Sequence, residues 1–354
     1  MATVSGSQIQ PTTPLPDGKG AAMRVAATSD IDEQAALLRG WNQTYDQMSA
    51  GSFNGSFLEV ELDGVLLFRE ITSNSLHQTG ALPAGTIAVG VPMALRGKAT
   101  FCRRRCDGTQ LHVFSGADAF EFLSPCGLDM AGFVLTESDL EVALTNDEWE
   151  TLLPSLSEPH LRSTGPGAAD LMRRIFADAC EVVALCPDLA DDPRRLASMS
   201  RDVVATLVTA LSRAPGDRPD IPPGKHARIV RDARDLVNAW PDGDMSVAEL
   251  CRMLGVSRRG LQYAFQETLG VKPSTYLRAV RLNGARRAIK HTHSVAEAAT
   301  RWGFWHFGRF AHDYKAMFGE LPSEAFRRYH SRAAPRIPDD EAAARPSAQK
   351  DHRR

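Results

Sequence analysis

The 354-residue sequence lacks the features of an exported or membrane-embedded protein. Its first residues, MATVSGSQIQPTTP, contain no basic segment and no apolar run, so we expect no secretory signal. The longest apolar stretch, near 203–211, is far too short to span a bilayer. The six cysteines are scattered, and without an export signal we expect free thiols rather than disulfides. The sequence therefore predicts a cytoplasmic protein without a membrane partner.

Motifs of enzymes are also missing. The sequence contains no Walker loop, no G-x-G-x-x-G and no serine-elbow motif. A β-barrel metal centre needs clustered histidines, whereas His77 and His112 are isolated and no H-x-H accompanies them. Cys102 and Cys106 bracket three arginines, a spacing that suits a zinc site or a thiol with a lowered pKa, but no second ligand pair is present. We therefore predict no enzyme, no catalytic residue and no metal site, and we regard these two cysteines as incidental to a polar strand and turn.

What the sequence does contain is a strong asymmetry of charge behind a net charge of −2. Residues 225–330 hold 18 Lys and Arg against 10 Asp and Glu, whereas residues 1–224 hold 17 against 29. A basic segment joined to an acidic one indicates a polyanionic ligand for the basic segment alone. The length predicts about two domains, each large enough to bury a core.

The basic segment repeats one pattern. SVAELCRMLG begins at residue 246 and SVAEAATRWG at residue 294. In each copy a serine is followed three residues later by a glutamate, which predicts a capping box, and apolar residues recur at i, i+3, i+4 and i+7, which predicts one buried helical stripe. A glycine then ends each helix. The predicted structural residues of the repeat are Ser246, Glu249, Gly255, Ser294, Glu297 and Gly303.

A second helix follows each glycine. The apolar positions Leu261, Phe265 and Leu269 of the first copy correspond to Phe310, Tyr314 and Phe318 of the second. The pattern predicts two helix-turn-helix units, about 246–269 and 294–318, joined by a linking helix from near Pro273 to about Lys290. A helical repeat that serves only as a scaffold is the alternative interpretation.

The charge on each second helix favours DNA binding over a scaffold. If the apolar set faces inward, Arg258, Arg259, Gln262 and Gln266 project outward in the first copy, and His306, Arg309, His312 and Asp313 do so in the second. Arg and Gln are the side chains that read guanine and adenine edges in a major groove. The linking helix carries five further cations at positions 278, 281, 286, 287 and 290, some for phosphates and some for solvent, and the sequence does not sort them. The predicted DNA-binding residues are Ser257, Arg258, Arg259, Gln262, Tyr263, Gln266, Trp305, His306, Arg309, His312 and Lys315.

These motifs resemble the AraC/XylS-type regulators over Lys225–His330: two helix-turn-helix units on a linking helix, Gly303-Phe304 in the second unit, and a G-x-x-P from Gly319 to Pro322. RWGFWHFGRFAHDYKAMF, residues 301–318, is closer still to the branch that contains the ethanolamine-utilisation operon regulator. Gly308 replaces the family's usual small hydroxyl residue, which removes one possible phosphate contact. The resemblance implies transcription activation at promoter DNA with RNA polymerase, and it suggests ethanolamine with a cobalamin cofactor as the inducer.

The acidic segment predicts mostly strands. Residues 1–29 are rich in Pro, Gly, Ser and Thr and predict a disordered arm, and residues 30–48 fit an amphipathic helix. FLEVELDGVLLFREI alternates around Asp63-Gly64 and predicts a β-hairpin. Further strands are predicted at 86–92, 99–103, 110–115 and 130–136, which indicates a small barrel or sandwich. By the family resemblance this would be a cupin-like sensor domain.

Two helices and a linker close the acidic segment. Residues 168–185 predict a helix with Leu171, Ile175, Ala179 and Val182 on its apolar face, and 193–213 predict another. The faces would pack on the barrel or across a homodimer, and both interpretations stay open. Residues 214–224 hold four prolines and predict a stiff linker, while 331–354 predict a disordered tail.

The sequence therefore predicts a multidomain α+β protein: a β-rich, cupin-like sensing domain at 30–213, with dimerisation as its open second role, and an all-α DNA-binding domain at 225–330. The predicted function is a sequence-specific transcription regulator that responds to a small-molecule inducer and reads two successive major grooves. Two rivals remain: an enzyme fused to a DNA-binding module, such as a cysteine alkyl-acceptor repair protein, and a non-specific architectural DNA binder.

Overall fold

The structure, a computed structural model, describes residues 22–163, 167–212, 224–240 and 245–333. The arm predicted for residues 1–29 lies outside the described residues up to residue 21, but Ala22–Thr28 is a strand, so that part of the prediction is wrong. The linker predicted at 214–224 lies outside the described residues except for Gly224, and the predicted tail does so except for residues 331–333, which are the end of a helix. We call residues 22–212 the N-terminal half and residues 224–333 the C-terminal half.

Two antiparallel sheets form the centre of the N-terminal half. The seven-stranded sheet has the order β1-β3-β4-β11-β6-β9-β12, and the five-stranded sheet has the order β2-β5-β10-β7-β8. The strands are β1 Ala22–Thr28, β2 Asn42–Gln47, β3 Gly55–Glu61, β4 Val65–Thr72, β5 Leu76–Ala81, β6 Thr86–Ala94, β7 Ala99–Phe101, β8 Arg104–Cys106, β9 Gln110–Ser115, β10 Phe120–Ser124, β11 Leu128–Thr136 and β12 His160–Ser163.

The hairpin predicted around Asp63-Gly64 is confirmed. Strands β3 and β4 pair in register from Gly55↔Thr72 to Glu61↔Leu66. Gly64 has φ +77°, a left-handed conformation that glycine adopts without strain. The four other predicted strands are present as β6, β7, β9 and β11.

The helix predicted over residues 30–48 is wrong. Only Ile31–Ala35 is helical (α1), with Asp30 as its N-cap. After Gly40, which has φ +80°, Asn42–Gln47 forms strand β2 and pairs with β5. Tyr45 and Gln47 point inward from this strand and are almost completely buried. Pairing with β5, a strand that follows later in the chain, overrides the local helical pattern.

Two long helices cover the outer face of the seven-stranded sheet, preceded by two short ones. These are α2 Glu137–Ala143, α3 Asn146–Leu156, α4 Ala168–Leu185 and α5 Pro193–Ser212, with a 3₁₀ turn at Pro187–Asp191. The bounds predicted for α4 are correct, but its predicted face is only partly so: Ala179 is buried and Ile175 packs partly buried against the core, whereas Leu171 is not in that core. Met172, Phe176 and Val183 are buried instead, and Val182 is 41% exposed. The two helices pack on the sheet and on each other in one core with Phe133.

Seven helices make up the C-terminal half as far as it is described: α6 Lys225–Asn238, α7 Val247–Leu254, α8 Arg258–Thr268, α9 Pro273–Ile289, α10 Val295–Arg301, α11 Phe307–Phe318 and α12 Pro322–Ala333. The linking helix is confirmed as α9. Its side chains belong to two cores: Tyr276 and Leu277 pack with Phe265 of α8, and Leu282 and Ile289 pack with Phe310 of α11. No helix of the described residues is both long and apolar enough to cross a membrane.

Candidate nucleic-acid interface

We call α7 and α8 the first helix pair and α10 and α11 the second helix pair. The first pair begins with the predicted capping box. Ser246 Oγ accepts a hydrogen bond from the Glu249 N–H at 3.2 Å, and Glu249 Oε2 accepts one from the Ser246 N–H at 2.8 Å. These bonds lower the pKa of Glu249, because they stabilise its carboxylate form. The backbone N–H groups of Ser246 and Glu249, which have no partner within the helix, are therefore both hydrogen-bonded at the helix start.

The second pair begins differently. Ser294 Oγ accepts a hydrogen bond from the Glu297 N–H at 3.1 Å, as predicted. The glutamate does not complete the box, however, because Glu297 Oε2 accepts its bond from the His293 N–H at 3.0 Å. The predicted serine cap is thus confirmed. The predicted reciprocal bond is wrong, because Glu297 bonds to the residue before Ser294.

Both pairs turn between their helices in the same way. Gly255 has φ +63° and Gly303 has φ +74°, so each occupies the left-handed region that favours glycine. The next N–H in each chain segment, Val256 or Phe304, donates to a carbonyl five residues earlier at 3.0 Å. This is the Schellman closure of a helix end. The duplication seen in the sequence is therefore a duplication of backbone geometry.

The second helices bury the predicted faces. On α8, Leu261 and Phe265 are inaccessible to solvent, and on α11, Phe310 and Tyr314 are equally buried. Aromatic rings stack edge to face along α11, with 5.6 Å between the centroids of Phe310 and Tyr314. Each second helix is consequently fixed by one face and leaves the opposite face exposed.

The exposed face of α8 carries the residues predicted to bind DNA: Ser257, Arg258, Arg259, Gln262, Tyr263 and Gln266 are all exposed. Ser257 is the N-cap, since its Oγ accepts from the Gly260 N–H at 3.1 Å. The Arg259 guanidinium lies 5.4 Å from the Tyr263 ring centroid and donates to its hydroxyl at 3.3 Å. Tyr263 therefore holds Arg259 in place on the surface. Gln266 donates to the Gly270 carbonyl at 3.2 Å.

The exposed face of the second pair is more aromatic. His306, Arg309, His312 and Lys315 are exposed, and Trp305 is 68% exposed. Phe307, which the sequence pattern did not single out, is 50% exposed beside them. Asp313 was predicted to project outward, but its side chain forms an ion pair with Arg278 of α9 and is only 15% exposed. That prediction is corrected: the carboxylate lies against the linking helix.

A cleft of about 420 Å³ lies between the two helix pairs, and we call it the central groove. The start of α7 forms one wall, and Trp305, His306 and Arg309 form the other. Its floor is the linking helix, from which Arg278 and Arg281 reach into it. Arg281 also donates to the Met245 carbonyl at 2.6 Å. Cations concentrated between two exposed helices suit a phosphate backbone that passes from one groove to the next.

The linking-helix cations are divided by the fold. Arg278 and Arg281 line the central groove, whereas the three nearer the C-terminal end of α9 contact acidic residues of the N-terminal half. Arg286 lies 2.8 Å from Asp30 and 3.1 Å from Asp32. Arg287 pairs with Asp46 at 2.6 Å and Lys290 pairs with Asp32 at 2.5 Å. The sequence left this division open because the partners are about 240–260 residues away in the chain.

We call this set of ion pairs the acidic clasp: Asp30, Asp32 and Asp46 against Arg286, Arg287 and Lys290. Its centre is Arg286, whose side chain is 4% exposed. Burial alone would raise the pKa of Asp30, but Arg286, Tyr329 and Lys290 together hold that pKa well below its ordinary value. Asn283 adds a neutral bond beside the clasp, because its amide accepts from the Gln47 N–H and donates to the Gln47 carbonyl, both at 2.9 Å.

The cysteines and histidines considered as metal ligands are not arranged as a site. Among the described residues no three His, Cys, Asp or Glu side chains cluster as metal ligands would. Burial raises the pKa of Cys102 and of Cys106 to about 12, the reverse of an activated thiol. His112 is buried among Phe101 and Phe122.

One small cavity lies between the sheets of the N-terminal half. It has a volume of about 20 Å³ and is walled mainly by aromatic rings, including Trp41 and Phe68. At one side Glu70 accepts hydrogen bonds from the Tyr45 hydroxyl at 3.1 Å and from the Gln34 amide at 3.0 Å. Complete burial raises the pKa of Glu70 to about 7. The Gln78 amide nitrogen is buried here without a hydrogen-bond partner in the described residues.

Comparison with known proteins places the same region in a known class. Residues 250–328 match a family model described as a helix-turn-helix domain. The chain is 38% identical over 154 residues to the probable thc operon regulatory protein of Rhodococcus erythropolis, covering 42% of this chain and 45% of that protein. It is 36% identical over 89 residues to the XylDLEGF operon transcriptional activator 1 of Pseudomonas putida, covering 24% of this chain and 27% of that protein. The chain therefore spans less than half the length of these relatives.

Solved structures are similar over different shares of the chain. The crystal structure of the AraC-like transcriptional activator CuxR has a TM-score of 0.40 at 17% identity, covering 73% of this chain and 94% of that one. A probable AraC family transcriptional regulator from Rhodopseudomonas palustris CGA009 has 34% identity and a TM-score of 0.27, covering 29% of this chain and 97% of that one.

Proposed function

We propose that this chain, an AraC/XylS-type helix-turn-helix protein by its residues 250–328, is a DNA-binding transcription regulator that reads two successive major grooves. The two helix pairs would be its two helix-turn-helix units. The names of its relatives, an operon regulatory protein and transcriptional activators, favour an activator. We further propose that it works with RNA polymerase at promoter DNA in the cytoplasm. The absence of catalysis belongs to the same proposal.

One observation carries the proposal: two helix pairs with the same glycine closure hold exposed polar faces on a single continuous helix. That helix, α9, has 17 residues and is therefore about 26 Å long. Successive major-groove faces of B-DNA lie ~34 Å apart, so two faces mounted on α9 have roughly the spacing of one helical turn. A scaffold would have no need to keep cations on both exposed faces.

The exposed residues divide into two roles. Arg258, Arg259 and Gln262 lie near the start of α8, where side chains reach base edges, and their chemistry matches guanine and adenine. Arg281 in the central groove and Lys315 on α11 have the positions and charge for phosphates, and Arg278 would join them by exchanging its ion pair with Asp313 for a phosphate. Phosphate contacts would supply most of the affinity and make it depend on salt.

The N-terminal half would sense a small-molecule inducer in a cupin-like sandwich. Its cavity of about 20 Å³ has room for about one water molecule, so an inducer would have to open the space between the aromatic rings and the polar groups of Glu70, Tyr45 and Gln78. The suggestion of ethanolamine with cobalamin rests only on residues 301–318, which belong to the DNA-binding part. The acidic clasp would couple the sensor to α9.

Selection from random duplexes tests this function without a known operator. The full-length chain is used to enrich DNA from a random library, and the selected site is then footprinted. We expect one consensus with two protected segments about one helical turn apart. Arg201→Ala, an exposed change on α5, is the control and should select the same site. Enrichment of no consensus would favour the architectural DNA binder instead.

The repair-enzyme alternative would need a reactive cysteine, and the two cysteines of the CRRRC segment give it no support. An alkyl-acceptor cysteine needs a lowered pKa, and burial raises the pKa of both Cys102 and Cys106. We therefore retain the regulator as the single proposed function.

A further inference from the structure

A second cationic cleft lies away from the proposed DNA-reading faces, where the two halves of the chain meet. It has a volume of about 320 Å³. The turn between β7 and β8 forms one wall, the start of α6 forms the second, and the end of α8 forms the third. Arg103 and Arg105 reach it from the N-terminal half, and Lys225 and His226 reach it from the C-terminal half. We call it the junction cleft.

The turn that supplies the arginines has an unusual backbone. Cys102 has φ +43° and Arg103 has φ +70°, and no other non-glycine residue of the described ranges has a positive φ. The Cys102 N–H donates to the Glu121 carbonyl at 2.8 Å, and β7 pairs with β8 on either side, so the turn is held from its flanks. Positive φ at both central residues is what a two-residue type I′ hairpin turn requires, and this turn joins the paired residues Phe101 and Arg104. Here the result is that Arg103 is exposed at the cleft.

The start of α6 also lacks the residues that usually stabilise a helix N-terminus. Helix N-termini favour acidic residues and a side-chain cap, since the first N–H groups carry partial positive charge. This 14-residue helix has no acidic residue in its first turn, Gly224 gives it no side-chain cap, and its first two residues are Lys225 and His226. Three cationic elements therefore converge on the cleft: a helix N-terminus, Lys225 at its start, and the two arginines opposite.

The one carboxylate among the described residues that line the cleft, that of Glu267, is already paired with His226. Glu267 lies at the end of α8, and its Oε2 is 2.5 Å from His226 Nδ1. Its backbone carbonyl accepts a hydrogen bond from Arg105 Nη2 at 2.9 Å. These contacts fix His226 and Arg105 as walls and leave Arg103 and Lys225 facing the open volume. Thr100 and Thr268 add hydroxyl groups to the lining.

We propose that the junction cleft binds a small phosphorylated anion, of pyrophosphate or mononucleotide size, that bridges the two halves of the chain. Guanidinium groups bind phosphoryl oxygens through paired N–H donors, a lysine adds a point charge, and free helix N–H groups complete such sites. A volume of about 320 Å³ is sufficient for a ligand of this size. The DNA backbone is a less suitable occupant, because one wall belongs to the N-terminal half and the proposed base-reading residues lie at the opposite end of α8.

Calorimetric titration of the full-length chain with sodium pyrophosphate at low ionic strength tests the proposal. We expect saturable binding, weakened at least tenfold by Arg103→Asn and restored by Arg103→Lys. Asparagine tolerates positive φ, so Arg103→Asn removes the charge without forbidding the backbone of the turn. Lys225→Ala provides a second variant on the opposite wall with the same expected loss. Arg201→Asn, on the exposed side of α5, is the matched control and should bind as the unchanged chain does.

Two further arms separate the phosphorylated anion from other occupants. Citrate, an anion without phosphorus, should bind at least tenfold more weakly than pyrophosphate. A random DNA duplex should bind the Arg103→Asn variant as tightly as the unchanged chain. The proposal is overturned by an absence of pyrophosphate binding, by equal binding in Arg103→Asn, by citrate binding equally well, or by a matching loss of DNA binding, which would make the cleft a DNA contact. None of these results bears on the site selected by α8 and α11, so the failure of one proposal is distinguishable from that of the other.

Discussion

The two helix pairs share a backbone design but are attached differently to the rest of the chain. The exposed face of α8 offers arginine and glutamine, with Arg259 held by Tyr263. The second pair offers more aromatic surface, and the N-terminal half bonds to the end of α11: Gln47 Nε2 donates to the Met317 carbonyl at 2.6 Å, and the Gly51 N–H donates to the Ala316 carbonyl at 3.2 Å. The N-terminal half also bonds to the end of α8, where Arg105 Nη2 donates to the Glu267 carbonyl at 2.9 Å, so the pairs differ mainly in their exposed faces. On the proposed function, we therefore expect the first pair to discriminate sequence and the second pair to position the duplex.

The largest effect on stability is expected at Arg286, the buried centre of the acidic clasp between the two halves. Replacing Arg286 with alanine leaves Asp30 buried without its main partner, which should cost ~3–5 kcal/mol of the free energy of unfolding. Arg287→Ala removes a cation whose side chain is 34% exposed and should cost about 0–1 kcal/mol. Urea unfolding of the full-length variants measures both. Equal small losses for the two variants would mean that the acidic clasp contributes little to stability.

The same pair gives the clasp a pH dependence of known sign. The partners of Asp30 lower its pKa in the folded chain below the ordinary 3.8. The stabilisation is therefore complete above about pH 4 and is lost as the pH falls below it, because the unfolded chain binds the proton more readily. Stability measured from pH 6 down to pH 3 should fall more steeply for the unchanged chain than for Arg286→Ala. Parallel curves would contradict this role of Asp30.

The next largest effect concerns base recognition by the first helix pair. Arg259→Ala should cost ~1–3 kcal/mol on the selected duplex and change the preferred base at one position. Arg252→Ala, an exposed arginine at the end of α7, is the control and should leave base preference unchanged. Binding to a set of duplexes with single base changes measures both. Equal loss on selected and random DNA for Arg259→Ala would move base discrimination away from the first pair.

How far the sequence predicts these features depends on the distance between interacting residues. Capping serines, glycine turns and the buried faces of α8 and α11 involve neighbours within about five positions, and the sequence predicted them. Strand β2 depends on pairing with β5, and the acidic clasp joins residues about 240–260 positions apart, so neither leaves a local pattern. The face of α4 was predicted only in part, for another reason: Leu171 and Val182 are as apolar as the buried Met172 and Val183, and only the neighbouring sheet selects between the two stripes.

A smaller effect is expected when acidic residues of the clasp are neutralised and its central residue, Arg286, is kept. Asp32→Asn combined with Asp46→Asn removes the partner of Arg287 and the nearer partner of Lys290, which keeps only Asp30 at 3.8 Å, and so makes two cations of the linking helix more available to DNA. If both then meet phosphates, affinity for every duplex rises, and the slope of log affinity against log salt steepens by ~0.9 for each contact. Asp178→Asn with Asp202→Asn, on exposed positions of α4 and α5, is the charge-matched control. An unchanged slope would place Arg287 and Lys290 away from the DNA.

The smallest effect is expected at Lys315, and it sharpens the comparison most directly. Lys315 is exposed in the last turn of α11, where a side chain is better placed for phosphate than for base edges. Lys315→Ala should weaken binding to all duplexes alike, reduce the salt slope by ~0.9, and leave the ratio of selected to random affinity unchanged. Titrations at several salt concentrations on both kinds of duplex measure this. A lowered ratio would make the second pair a reader of sequence, and the division between a discriminating first pair and a positioning second pair would have to be abandoned.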